Sequence, residues 1–84
     1  MTEYEIDENL DVRGESCPMP IVKTRQAVEK LDVGEVVEAL STDSGSKSDF
    51  DGWTAGSDDV ELLSADEVEM DGETVYRFHV RKTQ

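Results

Sequence analysis

The chain is 84 residues long, which is enough for one domain with a modest core. Hydrophobic residues make up 36% of it and charged residues 35%, and 21 acids against 8 bases give a net charge of −13. No apolar run approaches the roughly 20 residues of a membrane span, and the N-terminus lacks the basic and then apolar pattern of a signal peptide. A lone cysteine excludes an internal disulfide framework. We therefore expect a cytoplasmic protein with one domain over residues 1–84.

The acidity also indicates the surroundings of the protein and the partners it avoids. Only four of the eight bases are lysines. Acidic surfaces poor in lysine are typical of proteins from salt-accumulating halophiles, because molar salt shortens the Debye length to about 3 Å and screens the self-repulsion. The same charge disfavours direct contact with free nucleic acid. Disorder is not expected, because the apolar residues follow regular periods.

The first predicted elements are a strand and a helix. Apolar residues at alternate positions predict a half-buried strand with its even-numbered side chains toward the core; they are Tyr4, Ile6, Leu10 and Val12. Arg13 and Gly14 end this strand. A helix is predicted from Ile21 to Leu31, with Gly34 as its C-terminal cap. Its core stripe has helical spacing and consists of Ile21, Val22, Thr24, Ala27, Val28 and Leu31.

A second strand and a second helix follow. The strand is predicted over residues 35–42, where two adjacent valines favour burial over an edge position. A turn of small polar residues then leads to a weak helix over residues 46–55, with Ser46 or Ser48 as its N-cap. The side chains of this helix that are predicted to face inward are Phe50, Trp53 and Ala55. Trp53 is interpreted as a core aromatic rather than a ligand-stacking one.

Two more strands complete the chain. One is predicted over residues 60–65, and an acidic stretch ending in Asp71-Gly72 is predicted to form a hairpin turn. The last strand alternates clearly: one face consists of Val75, Arg77, His79 and Arg81, and the other of Tyr76, Phe78 and Val80. His79 is interpreted as a solvated surface residue. The order β-α-β-α-β-β predicts an α/β fold of the two-layer α+β sandwich type, with a four-stranded mixed sheet and both helices on one face.

The only cysteine, Cys17, is followed by the only two prolines, Pro18 and Pro20. Proline is favoured in the first turn of a helix, so Cys17 is predicted at or just before the helix start. The positive end of the helix dipole favours a thiolate there, although the prolines remove N–H donors that would stabilise it. Half of all the bases lie around this stretch; they are Arg13, Lys23, Arg25 and Lys30. They are interpreted either as the solvated face of the helix or as having a role near the sulfur.

Other chemistries lack the residues that they need. One cysteine and His79 do not make the three or four ligands of a metal site. A Cys-His hydrolytic pair is disfavoured, because His79 lies within a strand without an evident orienting partner. The chain has neither the Gly-rich pattern of a phosphate loop nor a Cys-x-x-Cys motif. What remains is an exposed thiol, which can attack a sulfur donor and hold the transferred sulfur as a persulfide.

The residues from Leu10 to Thr24 read Leu-Asp-Val-Arg-Gly-Glu-Ser-Cys-Pro-Met-Pro-Ile-Val-Lys-Thr. This run resembles the signature of the TusA/SirA-like sulfur carrier family, and its most specific part is Cys-Pro-x-Pro after Asp-x-Arg-Gly. Gly34-Glu35-Val36 and Thr42-Asp43 resemble the family pattern around the second strand. The resemblance extends over about residues 9–82 and includes the predicted order of elements, and the acidic surface indicates a halophilic archaeal member.

The resemblance implies a small carrier of the sulfurtransferase type rather than a stand-alone enzyme. Cys17 would accept sulfane sulfur from a cysteine desulfurase or a rhodanese-like donor. It would pass the sulfur to a downstream protein, for tRNA 2-thiouridine formation or for molybdenum cofactor metabolism. The residues that would support the motif are Arg13, Gly14, Pro18, Pro20 and Lys23. The resemblance implies no bound metal and no organic cofactor.

Two positions depart from the family pattern, and two other functions stay open. Glu15 replaces a residue that is often apolar, and its charge, two residues from Cys17, opposes thiolate formation. Gly56-Ser57-Asp58 replaces a Gly-His-type element before the third strand.

The alternatives to a sulfur carrier are a regulatory or protein-interaction module, in which the cysteine is structural or senses redox changes, and a carrier of selenium.

Overall fold

Four strands and two helices occur in the predicted order in the computed structural model, which describes residues 5–15 and 19–84. The elements are β1 (Glu8–Asp11), α1 (Met19–Glu29), β2 (Val36–Ser41), α2 (Ser46–Ala55), β3 (Val60–Met70) and β4 (Glu73–Lys82). One sheet has the order β1-β2-β4-β3, with β1 parallel to β2 and the other neighbours antiparallel. The predicted four-stranded mixed sheet is thus confirmed.

Both helices pack on the same face of the sheet, as predicted, and share one core. Phe50 of α2 stacks on Phe78 of β4, with ring centroids 4.1 Å apart and ring planes 5° apart. Trp53 is half-buried and packs edge-on against Phe50 with centroids 6.0 Å apart, as expected of a core aromatic. The buried residues of this cluster are Val28, Leu31, Val37, Ala39, Phe50, Val60, Phe78 and Val80.

Helix α1 begins and ends two residues earlier than the predicted range 21–31. It begins at Met19 because Pro20 fits the first helical turn, where its missing N–H costs no hydrogen bond. The α-helical bonding ends at Glu29, and the next two residues donate to carbonyls only three positions back. This tightened end leaves Leu31 in the core, where the predicted stripe contributes its buried members Thr24, Val28 and Leu31.

The connection from α1 to β2 differs from the prediction at Gly34. This glycine does not cap α1, because the helix ends five residues earlier. At φ +94° it shapes a separate turn, and its N–H donates to the Lys82 carbonyl with an N···O distance of 2.7 Å. The strand that follows agrees with the prediction, since Val36 and Val37 are both buried in the middle of the sheet.

The start of α2 also differs from the prediction. Gly45 occupies the N-cap position, so neither Ser46 nor Ser48 caps the helix. Ser46 is instead buried, and its hydroxyl shares a hydrogen bond of 2.7 Å with the hydroxyl of Ser41. At the other end of α2, Ala55 is exposed rather than directed inward. The buried Ser46 hydroxyl needs a hydrogen-bond partner, and this need outweighs the local preference for serine as a helix cap.

Strand β3 is longer than the predicted residues 60–65, because it continues to Met70. Its second half is rich in acids, which are depleted in strands, so the sequence pattern favours a loop. Pairing with β4 offsets this preference, and Asp66 forms an ion pair with Arg77 at 3.4 Å. The predicted hairpin turn at Asp71-Gly72 is confirmed, with left-handed φ angles of 52° and 81° that suit a two-residue hairpin.

His79 is buried, so its interpretation as a solvated surface residue is wrong. Only 4% of it is exposed, because β4 lies between β2 and β3 and neighbours on both strands flank its ring. Its Nε2 lies 3.2 Å from Glu38 Oε2, and its Nδ1 lies 3.0 Å from Ser64 Oγ. Because a carboxylate only accepts hydrogen bonds, Nε2 carries a proton and donates to Glu38. One side chain thereby joins three strands.

Replacing His79 with alanine should lower the free energy of unfolding by about 1–3 kcal/mol, because Glu38 and Ser64 lose a part-buried partner. Urea unfolding followed by circular dichroism in molar salt would measure the change. Lys47→Ala is the control, since Lys47 makes an exposed ion pair with Asp51 and should change stability little. A loss for His79→Ala no larger than that of the control would contradict a stabilising role for this network.

Candidate functional site

The motif around Cys17 connects the end of β1 to the start of α1. Residues 13–15 form the turn after β1, and Pro20 is the second residue of α1. Residues 16–18, called the cysteine segment below, lie outside the described residues. The placement of Cys17 at the helix start and the loop-shaping role of Pro18 therefore stay predictions. The geometry that the structure gives is that of the two ends of the cysteine segment.

The turn before the cysteine segment is held by Asp11. Its carboxylate accepts hydrogen bonds from Arg13 Nε at 2.9 Å and Nη2 at 2.8 Å, and from the Arg13 backbone N–H at 3.0 Å. The side-chain hydrogen bonds, followed by the backbone one, lower the pKa of Asp11 from 3.8 to about 2, and the same contact raises the pKa of Arg13. Arg13 Nη1 also lies 3.9 Å from Asp71, so this cation links the turn to the tip of the β3–β4 hairpin.

Gly14 ties the same turn to the end of β2. Its N–H donates to Thr42 Oγ1 at 2.8 Å, across 28 positions of the chain. Its φ of +84° lies in the left-handed region, where glycine is favoured over residues with a side chain. The Glu15 N–H donates to the Val12 carbonyl at 3.3 Å and closes the turn. The backbone that leads into the cysteine segment is thus fixed relative to the sheet.

Glu15 and Lys23 form an ion pair that spans the cysteine segment. Lys23 Nζ lies 2.6 Å from Glu15 Oε1 and 2.7 Å from Oε2. The Glu15 carboxylate, whose charge is expected to oppose thiolate formation at Cys17, is therefore compensated by the Lys23 ammonium group. The pair also joins the turn after β1 to the first half of α1, where Lys23 lies.

The four bases around the motif do not line one common cleft. Arg13 and Lys23 are engaged by carboxylates, whereas Arg25 and Lys30 are exposed and form no ion pair within residues 5–15 and 19–84. Lys23 and Lys30 line a cleft of about 380 Å³ between α1 and β1, and Arg25 lines a separate cleft of about 130 Å³ at the junction with α2. A solvated helix face describes Arg25 and Lys30 better than a common role near the sulfur.

The described side chains around the motif hold the backbone and compensate charge. Asp11, Glu15 and Thr42 each contact one neighbour in the motif. In none of these three contacts does a base lie against a nucleophile and activate it. In the part of the chain that the structure describes, no three side chains converge as metal ligands. Neither of its helices has the length and apolar character that a bilayer crossing requires. The role of the Cys17 thiol in nucleophilic chemistry stays a prediction, because residues 16–18 lie outside the described residues.

A family model decides what kind of protein this is. Residues 8–82 match the model described as Sulfurtransferase TusA. The chain belongs to the TusA family of sulfur carriers. A protein of Halobacterium salinarum, named as a candidate sulfur carrier protein, is 52% identical over 82 residues, which cover 98% of this chain and 96% of that protein. YrkI of Bacillus subtilis, named in the same way, is 44% identical over 48 residues, which cover 57% of this chain and 64% of YrkI.

A solved structure confirms the fold of this TusA-family chain. The crystal structure of a SirA-like protein from Desulfitobacterium hafniense superposes with a TM-score of 0.65 and covers 87% of this chain and 95% of that one. The sequence identity is 22%, so the likeness concerns the fold alone. Together with the family model and the relative from a halophilic archaeon, it confirms the resemblance to the TusA/SirA-like family that the motif predicts.

Two residues that hold the TusA motif are not among the predicted site residues. Asp11 has a visible signal in the sequence, because it precedes Arg13 by the two positions that an Asx turn requires. Thr42 has only its place in the family pattern as a signal, because it lies 28 positions from Gly14 and the parallel pairing of β1 with β2 brings the two together.

Asp11 should titrate with a midpoint of about 2 in the folded protein. Because this value lies below the ordinary pKa of 3.8, the contact with Arg13 stabilises the fold above pH 3.8, and that stabilisation is lost as the pH falls toward 2. The gain is small, since both groups are in contact with solvent. NMR of the Asp11 carboxyl carbon would measure the midpoint, which should return toward 3.8 in Arg13→Gln. A wild-type midpoint already at the ordinary value would show that the pair does not form in solution.

Proposed function

We propose that the chain carries sulfur as a persulfide on Cys17. The Cys17 thiolate attacks the terminal sulfur of a donor persulfide. A new S–S bond forms on Cys17, the S–S bond of the donor breaks, and its electron pair leaves on the donor thiolate. The exchange creates one S–S bond for each one that it breaks, so it needs no external oxidant or reductant.

The observation that carries this proposal is a Cys-Pro-x-Pro element in a chain of the TusA family, with a hydrogen-bonded turn before it and a helix after it. The family match over residues 8–82 includes the whole motif. The turn before the cysteine segment is bonded to β2, and α1 begins immediately after the segment, with Pro20 in its first turn. A short segment held at both ends can present a thiol to a partner without sampling many loop conformations. The same geometry supports the proposed roles of Arg13 and Gly14 in holding this turn.

The partners that fit this chemistry are proteins. The sulfur would come from a cysteine desulfurase or a rhodanese-like donor in the cytoplasm and would leave to a downstream acceptor protein. The family resemblance supports tRNA 2-thiouridine formation and molybdenum cofactor metabolism as the acceptor routes. A net charge of −13 favours delivery to a protein over delivery to RNA itself, because the surface repels phosphates.

Sulfur loading is testable by intact mass spectrometry under non-reducing conditions. In molar salt, a cysteine desulfurase with pyridoxal phosphate and cysteine should add one or more sulfur atoms to the wild type and none to Cys17→Ser. Dithiothreitol should remove the added sulfur. A rhodanese with thiosulfate is the second donor. No gain with either donor would overturn the carrier function in favour of an interaction module, whose partner binding would survive Cys17→Ser.

The acceptor route is testable in the source organism. Deleting the gene should lower the 2-thiouridine content of tRNA if the sulfur serves tRNA thiolation. It should lower the activity of molybdenum enzymes if the sulfur serves their cofactor. A plasmid copy of the wild type should restore the affected function, and a Cys17→Ser copy should not. A deletion strain that is normal in both respects would exclude both routes.

A further inference from the structure

We infer that Thr42 and the Glu15–Lys23 ion pair position the cysteine segment for sulfur transfer. The inference rests on the proposed function, because it concerns how Cys17 meets a protein donor. Neither group takes part in the exchange of sulfur. Each holds an end of the cysteine segment relative to an element of the fold, so both are positioning groups rather than catalytic ones.

Thr42 holds the end that comes from β1. Its hydroxyl oxygen accepts the Gly14 N–H at 2.8 Å, and it directly follows the last residue of β2. Strand β2 pairs with β1 on one side and with β4 on the other, and backbone paired on both sides opens least readily. The hydrogen bond therefore attaches the bend before the cysteine segment to the residue that directly follows an inner strand of the sheet.

The Glu15–Lys23 pair joins the two ends of the segment to each other. Glu15 directly precedes the segment, and Lys23 lies eight residues further along, on α1. Both oxygens of the carboxylate lie within 2.7 Å of the ammonium nitrogen. The Glu15 side chain is 31% exposed and the Lys23 side chain 40%, so the pair is partly shielded from solvent. A contact that closes a short loop removes much of the conformational freedom of the residues inside it.

Sulfur transfer between two proteins makes a geometric demand that a small reagent does not make. The attacking sulfur must align with the S–S bond that breaks, while both sulfurs are carried on large bodies. A misplacement of about 1 Å can slow such a step by as much as about 100-fold. Iodoacetamide diffuses freely and can reach an exposed thiol from several directions. Loss of positioning should therefore slow transfer from a protein donor and leave alkylation nearly unchanged.

Thr42→Val tests the first contact, because it keeps the shape of the side chain and removes the acceptor. Single-turnover transfer from a cysteine desulfurase should slow about five- to tenfold, while Cys17 alkylation by iodoacetamide stays within about twofold of wild type. Thr42→Ser keeps the hydroxyl and should restore the transfer rate. Thr54→Val is the matched control, since the Thr54 hydroxyl donates to the Phe50 carbonyl within α2. All rates are measured below the onset of thermal unfolding of each variant.

A charge reversal tests the second contact. Lys23→Glu places two acids together and should slow transfer by a similar factor. Adding Glu15→Lys restores an ion pair of opposite polarity and should return the rate to within about twofold of wild type. Dividing each transfer rate by the alkylation rate removes changes in the thiolate fraction. Asp51→Asn, which breaks the exposed Lys47–Asp51 pair on α2, is the matched control.

The outcomes separate this inference from the function on which it rests. If the wild type takes up no sulfur from either donor, the proposed function fails and positioning fails with it. If the wild type takes up sulfur and both Thr42→Val and Lys23→Glu transfer at its rate, only positioning is overturned. If transfer and alkylation fall by the same factor, the residues act on the reactivity of the thiol, and positioning is again overturned.

Discussion

The parallel pairing of β1 with β2 is the constraint on which the motif depends. Two parallel strands that follow each other in sequence need a crossover connection, and α1 supplies it. The same pairing places the end of β1 beside the end of β2, so that Gly14 meets Thr42. The cysteine segment then connects the edge strand to the crossover helix. Its place in the fold follows from the topology before any side chain of the motif is considered.

Features that depend on neighbours along the chain could be predicted from the sequence. Strand β2 is predictable because Val36 and Val37 are adjacent and both apolar, which suits a strand with neighbours on either side. Asp71-Gly72 indicates its hairpin because both residues tolerate left-handed φ angles. Pro20 indicates the start of α1 through its missing N–H. The family signature is equally local, since it fills one continuous run around Cys17.

Features that depend on contacts between elements could not be predicted in the same way. His79 alternates with core residues along β4, and its ring is contacted by Glu38 and Ser64 from two other strands. Ser46 stands where a helix cap is expected, but Ser41 offers its hydroxyl a buried partner. In both cases a hydrogen bond between elements outweighs a local preference of at most about 1–2 kcal/mol. The contacts of His79 are visible only when the strands have been placed in order.

The short strand β1 affects how readily another copy of the protein can pair with this edge of the sheet. An open strand edge is a template on which further chains can add, and this is how many sheets begin to aggregate. Within the described residues β1 pairs with β2 alone, but it offers only four residues, among them the exposed Glu8 and Asp11. A second copy would have to bring the same carboxylates alongside. Because Arg13 lowers the pKa of Asp11 from 3.8 to about 2, this carboxylate stays ionised further into the acidic range than an ordinary one. The carboxylate that holds the turn before the cysteine segment thus also makes this edge of the sheet less suited to pairing with another strand.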